Sequence, residues 1–292
     1  MSALDLDRIV AIDVHTHAEV GADGQPSLPS SLMEGSAAYF KAADHRMPTL
    51  DELAAHYRER SMAAVVFTVD AEHQLGHAPI PNEDVLEAAE RHADVLIPFA
   101  SVDPHRPDAA ARARRLVEAG ARGFKFHPTL QGFSPADGLA HPVLEVLEEL
   151  QVPALFHSGQ TGIGAGLPGG GGLRLRYSDP MLLDDVAADF PGLTVIIAHP
   201  SFPWQDEALS VATHKANVYI DLSGWSPKYF PPQLVRYANT LLKDKVMFGS
   251  DFPVILPDRW LRDFAGLDIK DEVRPLILKD NAARVLGLAR EA

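Results

Sequence analysis

The chain has no cysteine among its 292 residues. That absence excludes a disulfide framework, a thiolate metal site and a cysteine nucleophile, so any metal must be held by imidazole and carboxylate. Positive charge is also in short supply: 26 Lys and Arg stand against 40 Asp and Glu, for a formal net charge of −14. No basic surplus remains to draw a phosphate backbone by counterion release, so nucleic acid is not an expected partner. No apolar run approaches the length of a membrane span, and the first residues lack the basic start and apolar stretch of a signal peptide. The expectation is a cytoplasmic chain without membrane contact.

What is present is a 46% hydrophobic composition, enough for a large core in either one α/β barrel or two ordinary domains. Short β-branched and aromatic runs predict eight strands, over 9–14, 64–69, 95–102, 123–126, 152–156, 195–198, 218–222 and 246–248. Apolar residues at helical spacing fill the intervals at 50–62, 83–93, 108–119, 142–150, 180–190, 206–215 and 233–242, and 271–288 reads as a closing helix. Thr49 with Glu52 has capping-box spacing, and Asp179 precedes Pro180 as a helix start. Strand and helix alternate with no composition break, which predicts a single-domain (β/α)8 TIM barrel over 1–292. An open doubly wound sheet shares the alternation, but more commonly has about five to seven strands and a glycine-rich first turn. Here the first turn is His15-Thr16-His17.

In a barrel, polar residues at the C-terminal ends of the strands converge on one pocket. Strand one ends in His15 and His17, strand four in Lys125 and His127, strand five in His157, strand six in His199 and strand eight in Asp251. Residues two apart on a strand share a face, so His15 and His17 can grip one ion while Val14 and Thr16 face away. Adding His157 and the Asp251 carboxylate makes a nitrogen-rich site suited to one divalent ion, zinc first and manganese second, with room for a water. An isolated His-x-His pair would more often be surface or packing histidines; the further strand-end matches reverse that balance.

As an ordered set, several motifs carry a resemblance. They are His15-Thr-His17, Gly123-Phe-Lys-Phe-His-Pro128, Phe156-His157-Ser-Gly159, Ile197-Ala-His199-Pro, Asn217-Val-Tyr-Ile-Asp-Leu-Ser223, Phe248-Gly-Ser-Asp-Phe-Pro253 and Asn281-Ala-Ala-Arg284. From strand one to the final helix the chain resembles the amidohydrolase superfamily, in the amidohydrolase-related group that includes aminocarboxymuconate-semialdehyde decarboxylase. The resemblance implies that His15, His17, His157 and Asp251 are metal ligands, and that His199 stands beside the metal's water to polarise or protonate the substrate. It also implies that Lys125, if carbamylated, would bridge a second metal as in binuclear members. The Gly-x-Lys-x-His-Pro strand resembles the mononuclear group instead, which leaves Lys125 as an ammonium for a substrate carboxylate or for Asp251. A carboxylate touching both metal and water can carry the proton, and Asp251 is assigned that second role.

Two long loops follow strands one and five, 18–48 and 158–178, the second containing a glycine run at 169–172. The run lacks a phosphate-loop ending and reads as a lid hinge. Arg174 and Arg176 beyond it are candidates for bidentate recognition of a substrate carboxylate, with a surface salt bridge as the plain alternative. Trp225 and Trp204 could wall a ring-shaped substrate, and His127 could touch substrate from the rim. Of the other histidines, at 45, 56, 73, 77, 92, 105, 141 and 214, only His73 and His77 fall where they could approach the pocket.

The expected partner is therefore a small molecule bearing a carboxylate, and a homodimer is the default assembly. The resemblance admits three chemistries: hydrolysis through a metal-activated water, placed narrowly first; zinc-dependent non-oxidative decarboxylation of a small unsaturated or aromatic acid; and lactone opening without metal. A barrel that has lost catalysis and serves only to bind would have lost ligands, and all five site positions are present.

Overall fold

Small and branched apolar residues alternate along the strands, and this alternation separates two packed layers. The computed structural model describes residues 4–40 and 47–288. Its strands are β1 (Ala11–His17), β2 (Met62–Phe67), β3 (Leu96–Pro98), β4 (Phe124–Phe126), β5 (Ala154–His157), β6 (Val195–Ala198), β7 (Val218–Asp221) and β8 (Val246–Met247). All pairings are parallel, in the orders β1-β2-β3 and β4-β5-β6-β7-β8. Backbone bonds join the two sheets at both seams. At one seam Ala100 N donates to Gly123 O at 2.9 Å and Lys125 N to Ala100 O at 2.7 Å. At the other, Val14 N donates to Phe248 O at 3.0 Å, Asp251 N to His15 O at 3.0 Å and His17 N to Phe252 O at 2.9 Å. The expected TIM barrel is the fold found.

Ile12, Val14, Ala63, Val65, Phe67, Ile97, Phe99, Leu155, Ile196 and Met247 fill the ring's interior. The alternate residues, such as Ala64, Val66, Phe124, Phe126, Phe156, Ile197 and Ile220, pack outward against helix residues such as Leu53, Val85, Leu144 and Val186. Gly123 is required by this packing: a Cβ there would stand 2.3 Å from the Phe99 ring.

Seven helices match the predicted segments within a few residues: Leu50–Glu59, Asn82–Arg91, Ala109–Glu118, His141–Glu149, Leu182–Asp189, Gln205–His214 and Pro232–Ala238. The Thr49 and Glu52 capping box is present. Asp179, extended at φ −67° and ψ 122° ahead of Pro180, accepts from Met181 N at 2.9 Å, the bond of a capping carboxylate, and the regular helix runs from Leu182. The predicted closing helix is a π-helical turn, Leu276–Asp280, running into Asn281–Val285. Ser30–Phe40 is a helix within the first expected loop, and Pro257–Ala265 is a helix in a stretch given no element. His45 and residues 41–46 of the first long loop lie outside the described residues.

One local irregularity matters for the site. The β1–β2 register slips between Asp13 and Thr16, and such a bulge turns consecutive side chains toward one side. Val14 therefore packs in the interior layer beneath His15 instead of facing away. Asp13 turns outward, where Tyr57 Oη donates to its Oδ2 at 2.6 Å.

Candidate functional site

Three ligand-type atoms face one another at the C-terminal end of the ring. His15 Nε2 lies 3.2 Å from His17 Nε2 and 3.3 Å from Asp251 Oδ1, and His17 Nε2 is 3.0 Å from the same oxygen. Metal bonds of about 2.1 Å at tetrahedral or octahedral angles place neighbouring ligand atoms about 3.0–3.4 Å apart. The trio therefore fits a single divalent ion, and its chemistry, two imidazoles and one carboxylate, suits a borderline cation.

The trio is set by elements from both ends of the chain. Asp13 Oδ1 accepts from His15 N at 3.1 Å and from Ser250 N at 2.9 Å, clamping β1 against the segment after β8. Asp251 follows in the left-handed region at φ 71°, a conformation costly for a residue with a Cβ and one that concentrates at functional sites. Burial alone would raise the Asp251 carboxyl; the His17 hydrogen bond and the neighbouring His199 and Lys125 outweigh it and hold it below its usual range.

His15 is oriented from behind. Its Nδ1 is 2.5 Å from Asp221 Oδ2 on β7, so the Nδ1 proton goes to that carboxylate and the Nε2 lone pair faces the trio. Burial first, then the Lys125 charge, holds His15 well below the ordinary imidazole range, which keeps the ring neutral. Sequence reasoning missed Asp221 and Ser223 as site residues, although both lie within the quoted 217–223 motif.

Lys125 is wholly buried, with Nζ 3.2 Å from His15 Nε2 and 4.8 Å from the Phe67 ring centroid. Burial lowers its pKa against the opposing pull of the Asp251 and Asp221 carboxylates. Burial likewise raises the Asp221 carboxyl, opposed by Ser223 and Lys125.

His199 sits with Nδ1 2.7 Å from Ser223 Oγ, and burial lowers its pKa to about 4. His157 stands outside the tight trio. Its ring meets His199 edge-on at 5.0 Å and stacks on His127 at 3.8 Å, and its Nε2 is buried with no hydrogen-bond partner among the described residues. His127 Nδ1 accepts from Leu130 N at 3.3 Å, capping the short helix Pro128–Gln131.

The remaining candidates are not drawn into the cluster. Arg174 and Arg176 are exposed, with Arg176 lying over Tyr177, so neither guanidinium bonds to the imidazoles. Trp225 is half-buried and packs against Phe202 at 5.2 Å. His73 stacks on His105 at 4.2 Å, and His77 Nε2 lies 3.0 Å from Pro26 O in the first long loop. The two long loops dock on one another: a Cβ on Gly35 would come within 3.2 Å of the Leu167 side chain, and one on Gly171 within 3.3 Å of Leu32 Cδ2.

The family model described as amidohydrolase matches residues 12–288. No curated protein matches the chain. Among solved structures, an uncharacterised TIM-barrel protein from Bordetella bronchiseptica is 20% identical, with 95% of this chain and 98% of that chain covered and a TM-score of 0.77. The 5-carboxyvanillate decarboxylase of Novosphingobium aromaticivorans, complexed with manganese and 4-hydroxy-3-methoxy-5-nitrobenzoic acid, is 15% identical, with coverage of 98% and 99% and a TM-score of 0.67. The 2,6-dihydroxybenzoate decarboxylase from Rhizobium is 17% identical, with 99% of each chain covered and a TM-score of 0.66. At these identities the likeness is one of fold. No helix among the described residues is long and apolar enough to cross a membrane.

Proposed function

The chain belongs to the amidohydrolase family, an enzyme family, and on that premise we propose that it is a divalent-metal-dependent enzyme acting on a small carboxylate-bearing molecule. The observation that carries this reading is the mutual facing of His15 Nε2, His17 Nε2 and Asp251 Oδ1 at 3.0–3.3 Å. We assign these three groups as ligands, with the unpartnered Nε2 of His157 as the fourth. Zinc or manganese held there would supply Lewis acidity toward a substrate oxygen and bring the pKa of a water near neutrality.

The protein's own groups divide the remaining work. Asp251, kept ionised by its neighbours, is the proton carrier. Lys125 supplies a buried positive charge at the floor of the site for the substrate carboxylate, with a single ion and no carbamate. We assign Trp225, which packs on Phe202, to an aromatic wall for a ring-shaped substrate.

Two reactions use this division. In hydrolysis Asp251 takes a proton from the attacking water and returns it to the leaving group. In non-oxidative decarboxylation Asp251 first takes a proton from a water; the bond from the substrate carbon to its carboxylate then breaks, carbon dioxide leaves and Asp251 delivers that proton to the carbon. The low Asp251 pKa favours the first, which the sequence placed narrowly ahead. The second has at least equal support, because the decarboxylase relatives named above span nearly the whole chain and one of them holds manganese with a nitrobenzoic acid.

The test is to load the protein with zinc or manganese and incubate it with hydroxylated benzoates, small lactones and amides, measuring carbon dioxide and acid release in parallel. Carbon dioxide matching substrate loss makes it a carboxy-lyase, and acid release without it makes it a hydrolase. Turnover that survives complete chelation would point to metal-free lactone opening. A metal-replete protein inert toward every carboxylate-bearing substrate would sink the proposal.

A further inference from the structure

The Ser223 hydroxyl joins three buried side chains. Its Oγ is 2.7 Å from His199 Nδ1, 2.7 Å from Asp221 Oδ2 and 3.0 Å from His15 Nδ1. A serine hydroxyl has one proton to donate and two lone pairs to offer, so these contacts constrain where every proton lies.

His15 Nδ1 is nearer to Asp221, at 2.5 Å, than to Ser223, and its proton points to the carboxylate. This step rests on the reading that His15 offers Nε2 to the metal: burial raises the Asp221 carboxyl to about 8, and a bound cation on the far side of the imidazole favours its ionised, accepting form. Donation to an ionised carboxylate is stronger than donation to a neutral imidazole, so Ser223 also gives its single proton to Asp221. Only a lone pair then remains for His199, and a contact of 2.7 Å needs a hydrogen between the two atoms. That hydrogen belongs to His199 Nδ1.

We propose that Ser223 is a positioning residue that holds His199 as the Nδ1-protonated tautomer, leaving the Nε2 lone pair for the substrate. Gly224 completes the seat. At φ 74° it lies so close to the ring that a Cβ would stand 2.5 Å from His199 Nδ1, so a glycine after Ser223 is what leaves space for the imidazole there. His199 is then an acceptor in the resting enzyme, whereas the motif resemblance implied a group that polarises or protonates the substrate. The substrate group facing it must itself donate a hydrogen bond, as a hydroxyl does.

The tautomer can be read by two-bond proton–nitrogen correlation NMR on protein labelled with nitrogen-15 histidine, with His199→Asn to assign the signal. In the zinc-loaded wild type, His199 should carry its proton on Nδ1. Ser223→Ala should move the proton wholly or partly to Nε2 and lower kcat about 10- to 100-fold at unchanged KM and metal content. A wild-type His199 protonated on Nε2 overturns the proposal without any variant, and so does a Ser223→Ala protein that keeps the Nδ1 form. No substrate enters the NMR measurement, so an enzyme inert in the assays above would remove the proposed function without touching this inference.

Discussion

His15 Nδ1 lies 2.5 Å from Asp221 Oδ2, and both side chains are wholly buried. A carboxylate behind a ligating histidine fixes the ring's tautomer and raises its basicity, and losing such a partner commonly costs about 10- to 100-fold in metal affinity. Asp221→Asn should weaken zinc binding by that factor, measured by competition with a chelator of known affinity, while circular dichroism stays that of the wild type. Undiminished affinity would show that His15 is oriented by other contacts.

Removal of both imidazoles on β1 is the more drastic change. Protein purified without chelator should carry about one divalent ion per chain by plasma mass spectrometry, and His15→Ala/His17→Ala should carry none. Two ions in the wild type would make Lys125 a bridging ligand and correct the single-ion assignment.

For Asp251 the expectation is loss of rate with little loss of fold. Asp251→Asn removes the proton carrier, and positioned acid–base groups contribute about 10²- to 10⁴-fold. Turnover should fall by at least that range while the thermal midpoint changes little. A metal-replete Asn variant with near wild-type kcat would reassign the proton transfer.

Gly123→Ala places a methyl group inside the Phe99 ring's contact distance and should destabilise the barrel by about 1–3 kcal/mol in urea unfolding. Phe99→Leu on the same background should recover part of that loss, because the two changes share one contact. Additive losses would place the strain elsewhere.

His56 stacks on Phe252 at 5.0 Å with its Nε2 buried and unpartnered among the described residues. Burial, then Arg60, lowers its pKa below the ordinary imidazole value of 6.5. Below that value the unfolded chain takes up a proton that the folded chain refuses, so stability is lost as the pH falls through and below 6.5. His56→Gln should flatten this acid-side loss, seen as a smaller difference between urea midpoints at neutral and mildly acidic pH. An unchanged difference would assign the loss to other groups.

The periodic parts of this structure were legible in the sequence. Strand alternation and helical spacing are local, and they located all eight strands and the five polar strand ends. Trp260 and Phe264, four apart behind Pro257, carry a helical signal of the same kind that was passed over; both are buried by the helix Pro257–Ala265. What resisted reading is non-local. The contact between Ser223 and His15 spans 208 residues, and no spacing rule reports it. The β1 bulge depends on register with β2, which is why Val14 turned inward against the expectation from simple alternation. Arg174 and Arg176 were placed by loop membership alone, and a loop's sequence does not say which of its side chains turn to the pocket.

The seam between β1 and the segment after β8 has a consequence for synthesis. His17 and Asp251, 234 residues apart in sequence, meet only when the last strand closes on the first. A ribosome-bound chain therefore carries its histidine pair early but does not have the full set of proposed ligands until residue 251 has emerged. Chains arrested before that point would lack the Asp251 carboxylate of the proposed site.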